Sequence, residues 1–196
     1  MKAPVVFCFL FLNALVGLAQ PNRKADQRRS AWPDAAQIQY AGNTGMASAG
    51  LGYTIRNDRF RALLVYGFVP GQYAAGKTVH LISAKATARV AQWHITESMA
   101  LVPYGGLAGT LEPGRHSLLT LPDHYPDDYY GTTSFHATLL GGTRLEIKKD
   151  DSGFPKTIEP FVEIGATETL LYYKLLNREV KVGRAFSMAL GVSFKL

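Results

Sequence analysis

The chain has 196 residues, 47% of them hydrophobic, with 21 Lys+Arg against 15 Asp+Glu, a formal charge of +6 and a single cysteine. This length suits one domain, and a lone thiol excludes an internal disulfide framework. The mild positive charge comes without arginine runs interleaved with aromatics, which excludes a nucleic-acid footprint and leaves phosphate-rich lipid headgroups as its natural partner.

The first element is a secretory signal. Lys2 precedes an apolar run over 5–16 that only Asn13 interrupts, and Gly17 and Ala19 supply the small residues of a cleavage site after Ala19. Removing 1–19 would leave 177 residues (196 − 19), lower the charge from +6 to +5 with the loss of Lys2, and take away Cys8. No later apolar stretch approaches the roughly 20 residues of a spanning helix, so only strands could cross a bilayer. Residues 20–35, with Arg23, Lys24, Arg28 and Arg29, read as a flexible periplasmic lead-in.

From residue 36 to 196 the pattern is strand, turn, strand. Strands are expected over 37–43, 46–55, 60–69, 78–90, 98–111, 134–147, 157–167 and 185–196. In 46–55, Ala47, Ala49, Leu51, Tyr53 and Ile55 share one face and Ser48, Gly50, Gly52 and Thr54 the other. The faces of 60–69 are ambiguous. The last stretch alternates without a fault: Phe186, Met188, Leu190, Val192, Phe194 and Leu196 on one face, Ser187, Ala189, Gly191, Ser193 and Lys195 on the other. Connections after the second, fourth and sixth strands are short or strongly polar, whereas those after the fifth and seventh are long. Pro103 and Pro160 lie inside strands, where each deletes a ladder donor, so a bulge or kink is expected at both.

This chain resembles the small eight-stranded bacterial outer-membrane barrels of the OmpA and OmpX class. The carriers are the signal segment, the alternation, the loop asymmetry, the stretches Pro103-Tyr104-Gly105-Gly106-Leu107 and Pro160-Phe161-Val162-Glu163-Ile164-Gly165, and the ending. That ending is similar to the insertion signal such barrels present to the assembly machinery, with Gly191, Phe194 and Leu196 as its elements, the aromatic lying two residues before the end. The resemblance implies an all-β, eight-stranded antiparallel transmembrane up-and-down β-barrel. It would be a monomer in the outer membrane of a Gram-negative bacterium, in contact with outer-membrane lipids and lipopolysaccharide.

Charge then orients the strands. Arg or Lys on the lipid face near mid-membrane costs about 2–4 kcal/mol, so Lys85 and Arg89, Arg144 and Glu146, and Glu159 and Glu163 should point inward. An eight-stranded interior is just wide enough for side chains to fill it. The expectation is a paired plug without an open pore, with Lys85–Glu163 and Arg144–Glu159 contacts that Arg89 joins, and a structural or surface-interaction role.

Two alternatives compete. A lipid A deacylase-like enzyme would use a serine and a histidine two apart near the outer leaflet, and Ser134 and His136 have that spacing. Their order reverses the family's His-x-Ser, and no orienting acid can be placed. A soluble lipocalin-like lipid binder would turn its apolar faces inward, leaving the small Ser and Gly positions of the last strand outside. No cofactor or metal is expected: Asp123, His124, Asp127 and Asp128 lack the spacing of a calcium loop and read as a tyrosine-rich surface loop.

Overall fold

The computed structural model describes residues 32–74, 76–113, 135–149, 154–168 and 186–196. Their elements are β1 (Ala35–Ala41), β2 (Ala47–Ile55), β3 (Phe60–Val69), β4 (Val79–Arg89), the two-residue β5 (Trp93–His94), β6 (Met99–Leu111), β7 (Phe135–Lys148), β8 (Thr157–Thr167) and β9 (Ser187–Lys195), with a single 3-10 turn at Gly71–Tyr73. β5 is a rim extension paired to β6. The eight long strands form a ring. β4 pairs with β6, and Ala35–Ala41 of β1 pair with Lys195 down to Ala189 of β9, all antiparallel. The protein is therefore a closed eight-stranded antiparallel barrel. Closure leaves no sheet edge unpaired, which is the one complete remedy for exposed ladder groups. Among the described residues no helix is long and apolar enough to cross a membrane.

One rim carries the connections 56–59, 90–98 and 149–156; the other carries 42–46, 70–78, 112–134 and 168–186. These are called the short-turn and long-loop rims below. The first strand begins at Ala35, two residues before its expected start. At the long-loop rim, the interior of the 112–134 and 168–186 connections lies outside the described residues, as do the signal segment and most of the lead-in.

Neither proline inserts a bulge. Around Pro103 the β6–β7 register is unbroken from Met99↔Ile147 to Leu111↔Phe135, with Pro103 opposite Thr143. On its other side the β4 ladder ends at Arg89↔Tyr104, and the Pro103 carbonyl accepts only the Val90 N–H beyond it. The missing donor thus falls where pairing with β4 has ended, so no bulge is needed. At Pro160 the β7–β8 ladder lapses for Leu145 and Glu146, yet the register is the same before and after. A donor is lost there without an inserted residue.

β3, whose faces were ambiguous, is settled by Arg61. Arg61, Leu63 and Val65 are buried inward, while Leu64, Tyr66 and Phe68 face out. The ring as a whole is inverted relative to a soluble barrel. Its interior holds Glu159 at 0% exposure, Lys85 at 3% and Arg144 at 4%, whereas Ile38, Leu51 and Leu64 on the outside are 54%, 54% and 65% exposed.

Two aromatic side chains fill the interior by lying over glycines of the next strand. Tyr104 stands opposite Gly142 and Phe161 opposite Gly191. A Cβ at Gly191 would run into both the Phe161 ring and the Ile38 carbonyl oxygen, and one at Gly142 into the Val162 carbonyl oxygen and the Tyr104 hydroxyl. Gly191→Val should therefore destabilise the barrel by about 1–3 kcal/mol, the usual cost of overpacking. Gly105→Val, at a site whose nearest neighbour to an added Cβ is 3.8 Å away, should cost less. Denaturant titration of both variants measures the difference; equal losses would remove the glycine–ring packing from the account.

Candidate functional site

The functional candidates converge in the lumen, because period-two alternation sends every second side chain of each strand to the ring's interior. From the short-turn rim inward the first layer is Lys195, at the end of β9. Its Nζ lies 2.7 Å from Asp58 in the β2–β3 turn and 3.5 Å from both Glu146 and Glu159. Beside it Arg89 donates to Gln92 at 2.6 Å, and Gln92 donates on to Glu146 at 3.2 Å. Arg89 thus reaches the acids through Gln92 rather than joining the Lys85–Glu163 pair, because it sits at the rim, at the last paired residue of β4.

The second layer is a two-point ion pair. Arg61 Nη1 donates to Glu159 Oε2 at 2.6 Å and Nη2 to Oε1 at 3.0 Å. This fork geometry is the strong form of a guanidinium–carboxylate contact. Arg144 approaches the same acids less closely, with Nε 3.7 Å from Glu146 and 3.9 Å from Glu159. At those distances the attraction is between charges and is not a hydrogen bond. Arg144 instead lays its guanidinium 5.4 Å over the Tyr104 ring.

The third layer, at mid-height, joins Lys85 to Glu163 at 2.7 Å. The ammonium spans both carboxylate oxygens, Oε2 at 2.7 Å and Oε1 at 2.8 Å, and Tyr104 donates its hydroxyl to Oε2 at 2.9 Å. The Lys85 ammonium also lies 5.4 Å over the Phe161 ring and 3.5 Å from Gln39 Oε1. Gln37 donates to Gln39, and Gln39 to Thr44, carrying the chain of contacts toward the long-loop rim. There the lumen holds neutral groups, with Ser83 and Thr110 sharing a hydrogen bond at 2.8 Å.

The lumen is filled. Two voids, one lined by groups that include Arg61, Lys85 and Arg144 and the other by Thr138 and Glu163 among others, measure about 10 Å³ each. That is about the space of one water. Four cations (Arg61, Lys85, Arg144 and Lys195) face four acids (Asp58, Glu146, Glu159 and Glu163) in these layers. Arg89, linked to Glu146 through Gln92, adds a fifth cation at the rim.

Of the remaining candidates, Gly191 lies under Phe161, Phe194 pairs with Ala36 and Ile158, and Leu196 donates its backbone N–H to Asp34. His136 stands opposite Thr110 in the last turn of the ladder, its Nδ1 3.5 Å from Glu168, and both side chains are more than a third exposed. Ser134 lies outside the described residues, and so do Asp123, His124, Asp127 and Asp128. Among the described residues no three His, Cys, Asp or Glu side chains are grouped to hold a metal ion. Sequence reasoning missed Arg61, Tyr104, Gln39 and the Asp58–Lys195 pair. Arg61 carried a readable signal, since a charge inside a strand marks its inward face. Compared with protein-family models, curated proteins and solved structures, the chain matches none.

In the turn, Arg56, Asn57 and Asp58 have φ of 54°, 54° and 62°, a left-handed run that costs free energy for side-chain-bearing residues. The Asp58–Lys195 contact and the donation from Arg89 to the Asn57 carbonyl hold it in place. Burial pushes the Asp58 carboxyl up, but the Lys195 hydrogen bond and the charges of Lys195 and Arg61 outweigh it, and the net shift is downward from 3.8. A lowered folded value stabilises above the unfolded one and is lost as pH falls through the folded one. The stability gap between wild type and Asp58→Asn should therefore be full above about pH 5 and close in more acidic solution; urea midpoints across that range test it.

Glu163→Gln should cost roughly 3–5 kcal/mol, because it strands Lys85 in the interior. Lys85→Met with Glu163→Leu should recover much of that loss, since two apolar groups leave no unpaired charge. Tyr104→Phe should cost about 1.5–3 kcal/mol, the worth of a hydrogen bond to a charged group. A wild-type unfolding midpoint for Glu163→Gln would remove the pair from the energetics of the barrel.

Proposed function

We propose that the protein is an integral outer-membrane barrel whose lumen is a side-chain plug, with a structural or surface-interaction role and no open pore. The observation that carries this reading is the inverted polarity. Paired charges lie inside, and a band of Ile38, Leu51, Leu64, Leu139, Val162, Ile164 and Leu190 lies outside, each 43% exposed or more. A continuous apolar belt of this kind far exceeds the patches that water-facing monomers carry, and hydrocarbon is its natural solvent.

The margins of the belt support the same reading. Trp32, Trp93 and Phe154 are exposed toward the short-turn rim, and Tyr40, Tyr66, Phe68 and Tyr73 toward the long-loop rim. Paired aromatic girdles flanking an apolar band are the signature of spanning barrels. The strands run from 7 to 14 residues, around the 9–11 that a tilted crossing requires. By the usual asymmetry, the short-turn rim would be periplasmic and the longer connections extracellular.

A lipocalin-like binder runs against the same observation, since its apolar residues would line a ligand cavity and here the interior is charged. For the deacylase-like alternative, Glu168 stands 3.5 Å from His136 Nδ1, both side chains partly exposed, and the candidate serine, Ser134, lies outside the described residues.

On this reading, folded protein in detergent should migrate differently on a gel before and after boiling. Cysteines introduced at neighbouring positions 189 and 190 should differ sharply in labelling by a lipid-soluble probe, since Ala189 is buried and Leu190 exposed. Recovery of the protein wholly in a soluble periplasmic fraction would overturn the proposal.

A further inference from the structure

At the mouth of the lumen, Arg59 and Arg89 line an open cleft with no carboxylate in its lining, the nearest link to one being from Arg89 through Gln92 to Glu146. The cleft, about 280 Å³, lies at the short-turn rim and is lined by Arg59, Arg89, Val90, Ala91 and Gln92. The acid of the adjoining turn, Asp58, is already engaged by Lys195 at 2.7 Å. The two arginine-bearing segments are tied together, because the Arg89 backbone N–H donates to the Arg59 carbonyl at 2.8 Å. The Arg89 guanidinium is held by Gln92 at 2.6 Å and by the Asn57 carbonyl at 3.4 Å, so the exposed Arg59 is the freer of the two forks. The lip of the cleft is apolar and bare, with Val90 76% exposed and Trp93, just beyond it, 59% exposed.

We propose that this cleft binds the anionic phosphodiester headgroup of a phospholipid whose acyl chains descend along the apolar wall below Val90. Guanidinium groups suit phosphate because their planar fork presents parallel donors to two oxygens. The absence of a carboxylate from the lining leaves nothing to receive the ammonium of a zwitterionic headgroup, so a net negative lipid is preferred. The apolar lip separates a lipid from free phosphate, which would gain nothing from Val90 and Trp93. This assignment rests on the membrane reading above.

The chain contains two tryptophans, so Trp32→Phe in the full chain makes Trp93 a single reporter beside the cleft. The protein is reconstituted in vesicles carrying equal mole fractions of phosphatidylglycerol and phosphatidylcholine, with bromine on the acyl chains of one or the other. Brominated phosphatidylglycerol should quench Trp93 as if enriched about fivefold, the factor expected for roughly one cation at a lipid surface. The enrichment should fall to parity in Arg59→Gln, an exposed residue whose loss leaves the lumen intact, and in Arg59→Gln with Arg89→Gln. Lys148→Gln with Lys149→Gln, exposed cations on the same rim, should leave it unchanged. Equal quenching by the two lipids in the parent protein overturns the site, as does an equal drop in the lysine variant, which would mean only a diffuse basic field. Loss of the preference on adding inorganic phosphate, but not sodium chloride of the same ionic strength, would assign the cleft to free phosphate and overturn the lipid. No quenching by either lipid would overturn the membrane reading itself.

Discussion

The width of an eight-stranded ring governs everything inside it. A ring this narrow has room for side chains and almost none for solvent, so an inward polar group must find its partner across the lumen or go without. A lone buried charge is costly. The interior answers with acids set against bases, with glutamines, and with aromatic rings that act as walls for the cations. The plug does not imply a large gain in stability. Buried ion pairs often do little better than well-packed apolar residues. What they supply is a single arrangement, fixed by Arg61 on Glu159 and Lys85 on Glu163.

The same narrowness explains the glycines and rings. Tyr104 and Phe161 are too large to stand upright beside seven other inward faces, so each lies over a strand that has given up its side chain at that point. The rings then present π-faces to Arg144 and Lys85, and a packing solution becomes part of the electrostatic one. Outside the ring the demands are different. Backbone groups are consumed by the closed ladder, and the outward residues face no partner strand, so the exterior is free to be apolar throughout.

Much of this was legible in the sequence because alternation has only two phases. Once Lys85, Arg144 and Glu163 were required to face in, the phases of β4, β7 and β8 followed, and register across the ring brought Lys85 within reach of Glu163. β3 was harder because Leu63 and Val65 make its inner face nearly as apolar as its outer one, and Arg61 is a single charge among ten residues. That oversight propagated. Glu159 was matched to Arg144 on the adjacent strand, whereas its two-point partner is Arg61 across the lumen. The bulge expected at Pro103 was absent for a different reason. A proline's cost depends on whether the neighbouring strand still offers an acceptor at that height, and strand ends are the least readable feature of a sequence. Asp58 with Lys195 could not have been foreseen from patterning, since it joins a turn to a strand terminus.

The shortest ion pairs in the lumen join residues distant in the chain. Asp58 and Lys195 are 137 residues apart, Arg61 and Glu159 98, and Lys85 and Glu163 78. A nascent hairpin of β2 and β3 therefore carries Arg61 and the left-handed Asp58 turn with neither yet rewarded, because both partners belong to the last two strands. Closing such long loops must be paid for before the contacts repay it. The Lys195 contacts can form only when the final strand docks, and Arg61–Glu159 and Lys85–Glu163 only when the ring brings β8 to face β3 and β4. They then act as a latch on completion: a ring missing β9 keeps its charges open to water, and only the finished ring can afford to exclude it.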